Sequence, residues 1–221
     1  MKTLFKRLRS LVALLLAVVL IGCASGPKEV FHSFTCNGRN DVNKWLETTD
    51  LLAYSYGDQY RMVRRSMDDP SEKAWLQKNG ETSLSGCLNV GGAMPVGEFL
   101  YVKWRIKATG EIFEDRVDLR ERLPKNMMNH KLTFSINEKQ LYLFVVTPLP
   151  RNPKDEKYTV PKYPQVNFYK PTHLTWLSAH AMTYEIYPEL EPYPKPTHLT
   201  SEQIEKCLRL EIACAADKPK K

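Results

Sequence analysis

The 221-residue sequence predicts an α+β domain: mainly antiparallel β-sheet or sandwich, with short N-terminal helices and a C-terminal helix. Three observations predict it. Leu100, Val102, Trp104 and Ile106 alternate with Tyr101, Lys103, Arg105 and Lys107, a period of two that turns one face inward and wets the other. Further alternating runs follow across short turns, which reads as an antiparallel meander of consecutive hairpins. Thr200-x-x-Gln203 then has the form of a capping box at the start of a helix.

Residues 1–22 are set aside before the elements are taken in order. Lys2, Lys6, Arg7 and Arg9 form a positive region, and Leu11 to Ile21 an unbroken apolar one. Leu20-Ile21-Gly22-Cys23 reads as a lipobox: small Gly22 lets a peptidase approach the backbone, and the Cys23 thiol takes the lipid. A membrane-spanning helix is the competing reading. The apolar run rises only about 16 Å as a helix, against a hydrocarbon core of roughly 30 Å. The organisation expected is a signal peptide over 1–22, a lipidated tether over 23–29, one globular domain over 30–217 and a basic tail over 218–221. Several acyl chains on one cysteine, palmitate among them, give a stable anchor where one chain is marginal. In the lipoproteins this segment resembles, an aspartate after the cysteine retains the protein at the inner membrane. Ala24 stands there instead, which implies the periplasmic face of the outer membrane.

The charge follows the same division. The whole chain has 32 Lys+Arg against 25 Asp+Glu. Four of those bases lie in the signal and three in the tail, at Lys218, Lys220 and Lys221, so the body is neutral. A neutral body gives no support to nucleic-acid binding, which needs a basic face.

Val30 to Cys36 reads as a strand. Asn40 caps a short helix carrying Val42, Trp45 and Leu46 on one face. Leu51 to Tyr56 is β-prone, and Tyr60, Val63 and Met67 have helical spacing. Ser71 caps a second short helix that Asn79-Gly80 ends. After the strand at 100–106 comes a run with Phe113, Asp115, Val117 and Leu119 on one face. Its acids, Glu111, Glu114 and Asp115, are placed to pair with Arg105 and Lys107. Leu132, Phe134 and Ile136 form another alternating strand, and Leu141 to Val146 is apolar on both faces, as in a central strand covered twice. From 148 to 196 the chain holds ten of its fifteen prolines, so extended segments without long regular elements are expected there.

Besides Cys23 there are four cysteines, Cys36, Cys87, Cys207 and Cys214, an even number that suggests two disulfides in an oxidising compartment. Three connectivities are open. Cys36–Cys87 with Cys207–Cys214 is favoured, on condition that the last helix ends between its two cysteines, because a continuous helix would hold them about 10 Å apart.

Few side chains point to catalysis. Gly92-Ala-Met-Pro-Val-Gly97 has the spacing of a phosphate-binding loop, but Glu98-Phe99 stands where Lys-Ser/Thr is needed, so it reads as a turn. Ala53-Tyr54-Ser55-Tyr56-Gly57 comes near a nucleophile elbow, which makes a lipase-like hydrolase using Ser55 one alternative function. His130, His173, His180 and His198 offer no single matching base. His173 and His198 do occupy matching places in a repeat, Lys-Pro-Thr-His-Leu-Thr at 170–175 and 195–200, without metal-ligand spacing. No metal or other cofactor is implied. The best functional hint is the set of tyrosines near Tyr-Pro steps: Tyr163, Tyr169, Tyr187 and Tyr193. Held on stiff loops, they lose little entropy on contacting a protein partner.

One stretch resembles a family. Gly86-Cys87-Leu88-Asn89-Val90, then Met94-Pro95-Val96-Gly97, then Leu100-Tyr101-Val102-Lys103-Trp104 is similar to the small outer-membrane lipoproteins encoded beside type VI secretion phospholipase effectors. Those are immunity proteins, which bind the effector in the periplasm and protect the producer's membrane. The resemblance covers residues 1–23 and 83–147. It implies a non-enzymatic inhibitor whose partner is the effector. A lipoprotein of envelope assembly or of a secretion apparatus, with a resident partner, is the other alternative.

Overall fold

A computed structural model of the protein describes residues 29–36, 45–59, 61–150 and 181–209. Cys23, Asn40, Tyr163, Tyr169, His173, His180 and Cys214 lie outside these, with the expectations attached to them.

Nine strands among the described residues form two sheets. The first has the order β4-β1-β7-β8-β9, built from β1 (Glu29–Cys36), β4 (Val90–Pro95), β7 (Lys131–Asn137), β8 (Gln140–Pro150) and β9 (Ala181–Tyr187). The second has the order β3-β2-β5-β6, built from β2 (Thr49–Gly57), β3 (Met62–Ser66), β5 (Phe99–Ile106) and β6 (Ile112–Asp118). A 3-10 turn over Trp45–Glu47 precedes β2, α1 (Pro70–Lys78) follows β3, and α2 (Ser201–Arg209) follows β9. The hairpins expected from the sequence are present, but they are divided between two sheets. One pair, β1 with β7, is parallel.

The alternating residues explain the layering. Leu100, Val102 and Trp104 of β5 are buried, as are Phe34 of β1 and Phe134 of β7. Phe34 stacks on Tyr56 of β2 at 4.8 Å between ring centroids and lies 5.9 Å from Tyr54, so the sheets meet face to face. Trp104 keeps its polar edge satisfied by donating from Nε1 to the Glu138 carbonyl at 2.8 Å. β8 is buried on both faces, as its continuous apolar run requires. It is an interior strand of the sheet, between β7 and β9, as expected. A second, small apolar cluster joins Leu149 of β8, Met182 of β9 and Cys207 of α2.

Other expectations need correction. Val63 and Met67 do not lie on a helix. Residues 62–66 pair antiparallel with β2 across a tight turn in which Asp58 Oδ1 accepts from the Arg61 N–H at 2.7 Å. Gly57 enters that turn at φ 155°, with no room for a Cβ, which would lie 2.2 Å from the Arg61 carbonyl. The cap of α1 is Asp69, whose carboxylate accepts from the Ser71 and Glu72 N–H groups, and Pro70 occupies the first turn. Arg105 and Lys107 do not pair with the acids of β6. Register sets Asp50 of β2 directly opposite Arg105, which donates to it at 2.5 and 3.1 Å, and Lys107 lies 3.7 Å from the same carboxylate. Glu111 meets Lys139, Glu114 accepts from the Tyr101 hydroxyl, and Asp115 from that of Tyr187. The proline-rich region does contain a strand. Ala181–Tyr187 is a proline-free run that Pro188 closes, and averaging over the surrounding prolines hides it. The capping box forms as expected: the Thr200 N–H donates to Gln203 Oε1 at 2.8 Å, and the Gln203 N–H donates to Thr200 Oγ1 at 3.2 Å.

Candidate functional site

Cys36 and Cys87 form a disulfide with their Cα atoms 5.6 Å apart. It ties the end of β1 to the segment that leads into β4. Cys207 is disulfide-bonded as well, and its favoured partner, Cys214, lies outside the described residues. One residue past Cys87, the Leu88 N–H donates to the Tyr54 hydroxyl at 3.0 Å. At the far end of β4, the Gly97 N–H donates to the Tyr56 hydroxyl at 3.0 Å, and the Glu98 N–H to the Gly57 carbonyl at 2.9 Å. β4 is thus pinned at both ends. Gly92 lies inside β4 rather than in a turn, and Gly97 sits where a Cβ would come within 2.4 Å of the Tyr56 ring.

Between the pins, β4 has no charged side chain. Its sequence is Val-Gly-Gly-Ala-Met-Pro, and Gly91 and Ala93 are exposed. Ala93 lies opposite Phe31 of β1, which is 55% exposed. On the other side of β1, the Asn129 N–H donates to the Phe31 carbonyl at 2.7 Å. On the inner side a cavity of about 200 Å³ opens between β4 and β3, lined among others by Met62, Val63, Met94 and Pro95. An exposed ion pair between Arg61 and Glu29 crosses its mouth. Sequence reasoning missed this edge. The one signal that could have found it was a strand of small apolar residues without a gatekeeping charge.

Two buried histidines stand behind it, held in the same way. His32 donates from Nδ1 to the Val30 carbonyl at 2.8 Å, and its Nε2 accepts from the Tyr56 hydroxyl at 2.8 Å. His130 donates from Nδ1 to the Met128 carbonyl at 2.8 Å, and its Nε2 accepts from the Tyr193 hydroxyl at 3.1 Å. Burial holds both imidazoles below their ordinary 6.5 and pushes the Tyr56 hydroxyl up to about 12. These are neutral, satisfied groups that brace strands.

The tyrosines named from the sequence are engaged internally where they are described. The Tyr187 hydroxyl donates to Asp115 at 2.5 Å, with the Arg122 guanidinium over its ring. Tyr193 holds His130 and packs edge-on against Tyr184. Ser55 lies within β2, opposite Arg64 of β3 and Tyr101 of β5, and the strand turns into a hairpin rather than a helix. A larger polar cleft of about 640 Å³ lies among Glu47, Asp50, Glu81, Ser83 and Lys107. Its most buried carboxylate, Asp50, is already bound to Arg105. Among the described residues no three His, Cys, Asp or Glu side chains gather as a metal site, and no helix is long and apolar enough to cross a membrane. No protein-family model, no curated protein and no solved structure matches this chain.

Proposed function

We propose that this chain is an outer-membrane-anchored immunity lipoprotein that binds and neutralises a type VI secretion phospholipase effector in the periplasm. The observation that carries the reading is the uncharged, exposed edge of β4, pinned at both ends and bordered by exposed Phe31 of β1. A neutralising protein needs a complementary surface of roughly 800 Å² per partner, and no reaction centre of its own. The Cys36–Cys87 disulfide suits an oxidising compartment. The lipobox at Cys23 would hold the protein where an incoming lipase attacks. The residues that carry the family resemblance, Gly86 to Trp104, run through the disulfide segment, β4 and β5.

The test uses the mature chain with Cys23→Ser, folded under oxidising conditions and mixed with the product of the neighbouring gene. A one-to-one complex and loss of phospholipase activity are expected. An active lipase that forms no complex with the chain would defeat the reading and favour an envelope-assembly lipoprotein with a resident partner.

A further inference from the structure

We infer that the outer edge of β4 is a docking site for an extended segment of the protein partner, which joins the five-stranded sheet and sets an apolar side chain over the cavity between β4 and β3. The inference rests on the reading of the chain as a protein-binding module and names the surface that binds.

The two sheets have four edge strands, β4, β9, β3 and β6. A strand at the end of a sheet presents a row of backbone N–H and C=O groups, and proteins blunt such rows with charge, helices or returning loops. β3 carries Arg64 and Arg65, the latter paired with Glu72 of α1. β6 carries Glu114, Asp115, Arg116 and Asp118. β9 is capped by the chain that follows it: the Glu185 N–H donates to the Glu191 carboxylate at 2.8 Å, and the Glu191 N–H donates to the Glu185 carbonyl at 2.9 Å. Among the described residues β4 has none of these devices. No turn, cap or side-chain hydrogen bond among the described residues reaches residues 90–95.

The chemistry of the edge selects its occupant. Backbone groups at strand spacing are matched by another extended backbone, and pockets beside the edge then read alternate side chains. A strand added beyond β4 has its inward side chains over the cavity formed by Met62, Val63, Met94 and Pro95. Its outward side chains lie beside Gly91 and Ala93, where little bulk separates them from exposed Phe31 on the strand beyond. The fitting segment therefore alternates, with a large apolar residue at an inward position. A second copy of this chain fits poorly. Its own β4 would bring Gly92, which has no side chain, and Met94, which already packs on its own core. Backbone pairing over about 20 Å of strand is also too little for a stable homodimer without such an anchor.

The experiment selects phage-displayed dodecapeptides on the immobilised mature chain and measures those recovered by anisotropy and amide exchange. Two lysine variants test the edge. Ala93→Lys is exposed, and Gly91→Lys places a Cβ in ordinary contact with Ser33 at 3.5 Å, so neither disturbs the core. Glu114→Lys on the guarded β6 is the control. Peptides with alternating apolar residues are expected to slow exchange over residues 90–95 and to bind both edge variants about tenfold more weakly, with the control unchanged. The inference is overturned if no peptide is recovered, if the edge variants bind as tightly as the parent, or if the chain forms a dimer that Ala93→Lys breaks. The lipase assay separates the two proposals. Inhibition that survives both edge lysines sinks the docking site and leaves the function standing. Docking on β4 with no effect on the lipase does the reverse.

Discussion

The two open sides of this sandwich are finished differently. On the side of β6 and β9, the Tyr187 hydroxyl reaches from one sheet to Asp115 of the other, and Arg122 donates to the Ile186 carbonyl at 2.6 Å. The loop after β9 folds back to satisfy that strand's outer edge. On the side of β3 and β4, one exposed ion pair spans the gap above a cavity of about 200 Å³. An exposed pair of this kind contributes at most about 1 kcal/mol. The sealed side does what stability asks of an edge. The other side is held at its ends, by the disulfide and by the hydroxyls of Tyr54 and Tyr56, while its middle stays bare. Rigid ends and a free centre suit a surface kept for something else.

Three perturbations would break or sharpen this contrast, and the first should be the largest. Replacing Cys36 and Cys87 together by alanine removes the staple on the bare side. A loss of about 2–5 kcal/mol in denaturant melts is expected, with amide exchange accelerated over β4 more than over β9. Equal loosening of both strands would show that the staple is not specific to that side. Glu191→Ala is the converse change, because it uncaps β9. About 1 kcal/mol should be lost, and the Glu185 amide should exchange faster while β4 is untouched. No change at Glu185 would mean that the sealing of this side has been misread.

A pH series is the mildest test, since it leaves every atom in place. His32 and His130 have folded values below 6.5, so the unfolded chain binds more protons as pH falls through that point. Their contribution is fully present above 6.5 and is lost progressively below it, down to their lowered folded values. Melting temperatures measured between about pH 8 and pH 5 should therefore fall toward acid. A flat profile, or one rising toward acid, contradicts the neutral, buried histidines.

Much of the fold could be read from the residues. Alternation named β5 and β7, the double-sided apolar run named β8, and Thr200 with Gln203 named the cap of α2. What escaped was decided by pairing rather than by local pattern. Met62–Ser66 is an edge strand with partly exposed residues on both faces, so it carries no clean alternation. Asp50 is the partner of Arg105 because of register across β2 and β5, and no spacing within one strand reveals that. The candidate site was illegible for a related reason. The hydroxyls of Tyr187 and Tyr193 face Asp115 and His130 from other elements, while the Tyr193 side chain stays 37% exposed. The bare edge consists of residues that attract notice only when the other edges are known.

Glu29 begins β1, lies opposite Pro95 of β4 and lines the cavity between the sheets. The chain from Cys23 to Glu29 reaches no more than about 20 Å even when fully drawn out. On the proposed lipid anchor at Cys23, the Pro95 end of the bare edge would stand no farther than about 25 Å from the headgroups, the tether plus one strand spacing. The edge and a lipase at work on the bilayer would then share one thin layer of solvent. Their encounter would become a search in two dimensions, at a local concentration far above that of a freely diffusing protein. Lengthening the polar stretch before Glu29 would dilute the encounter without altering a single contact.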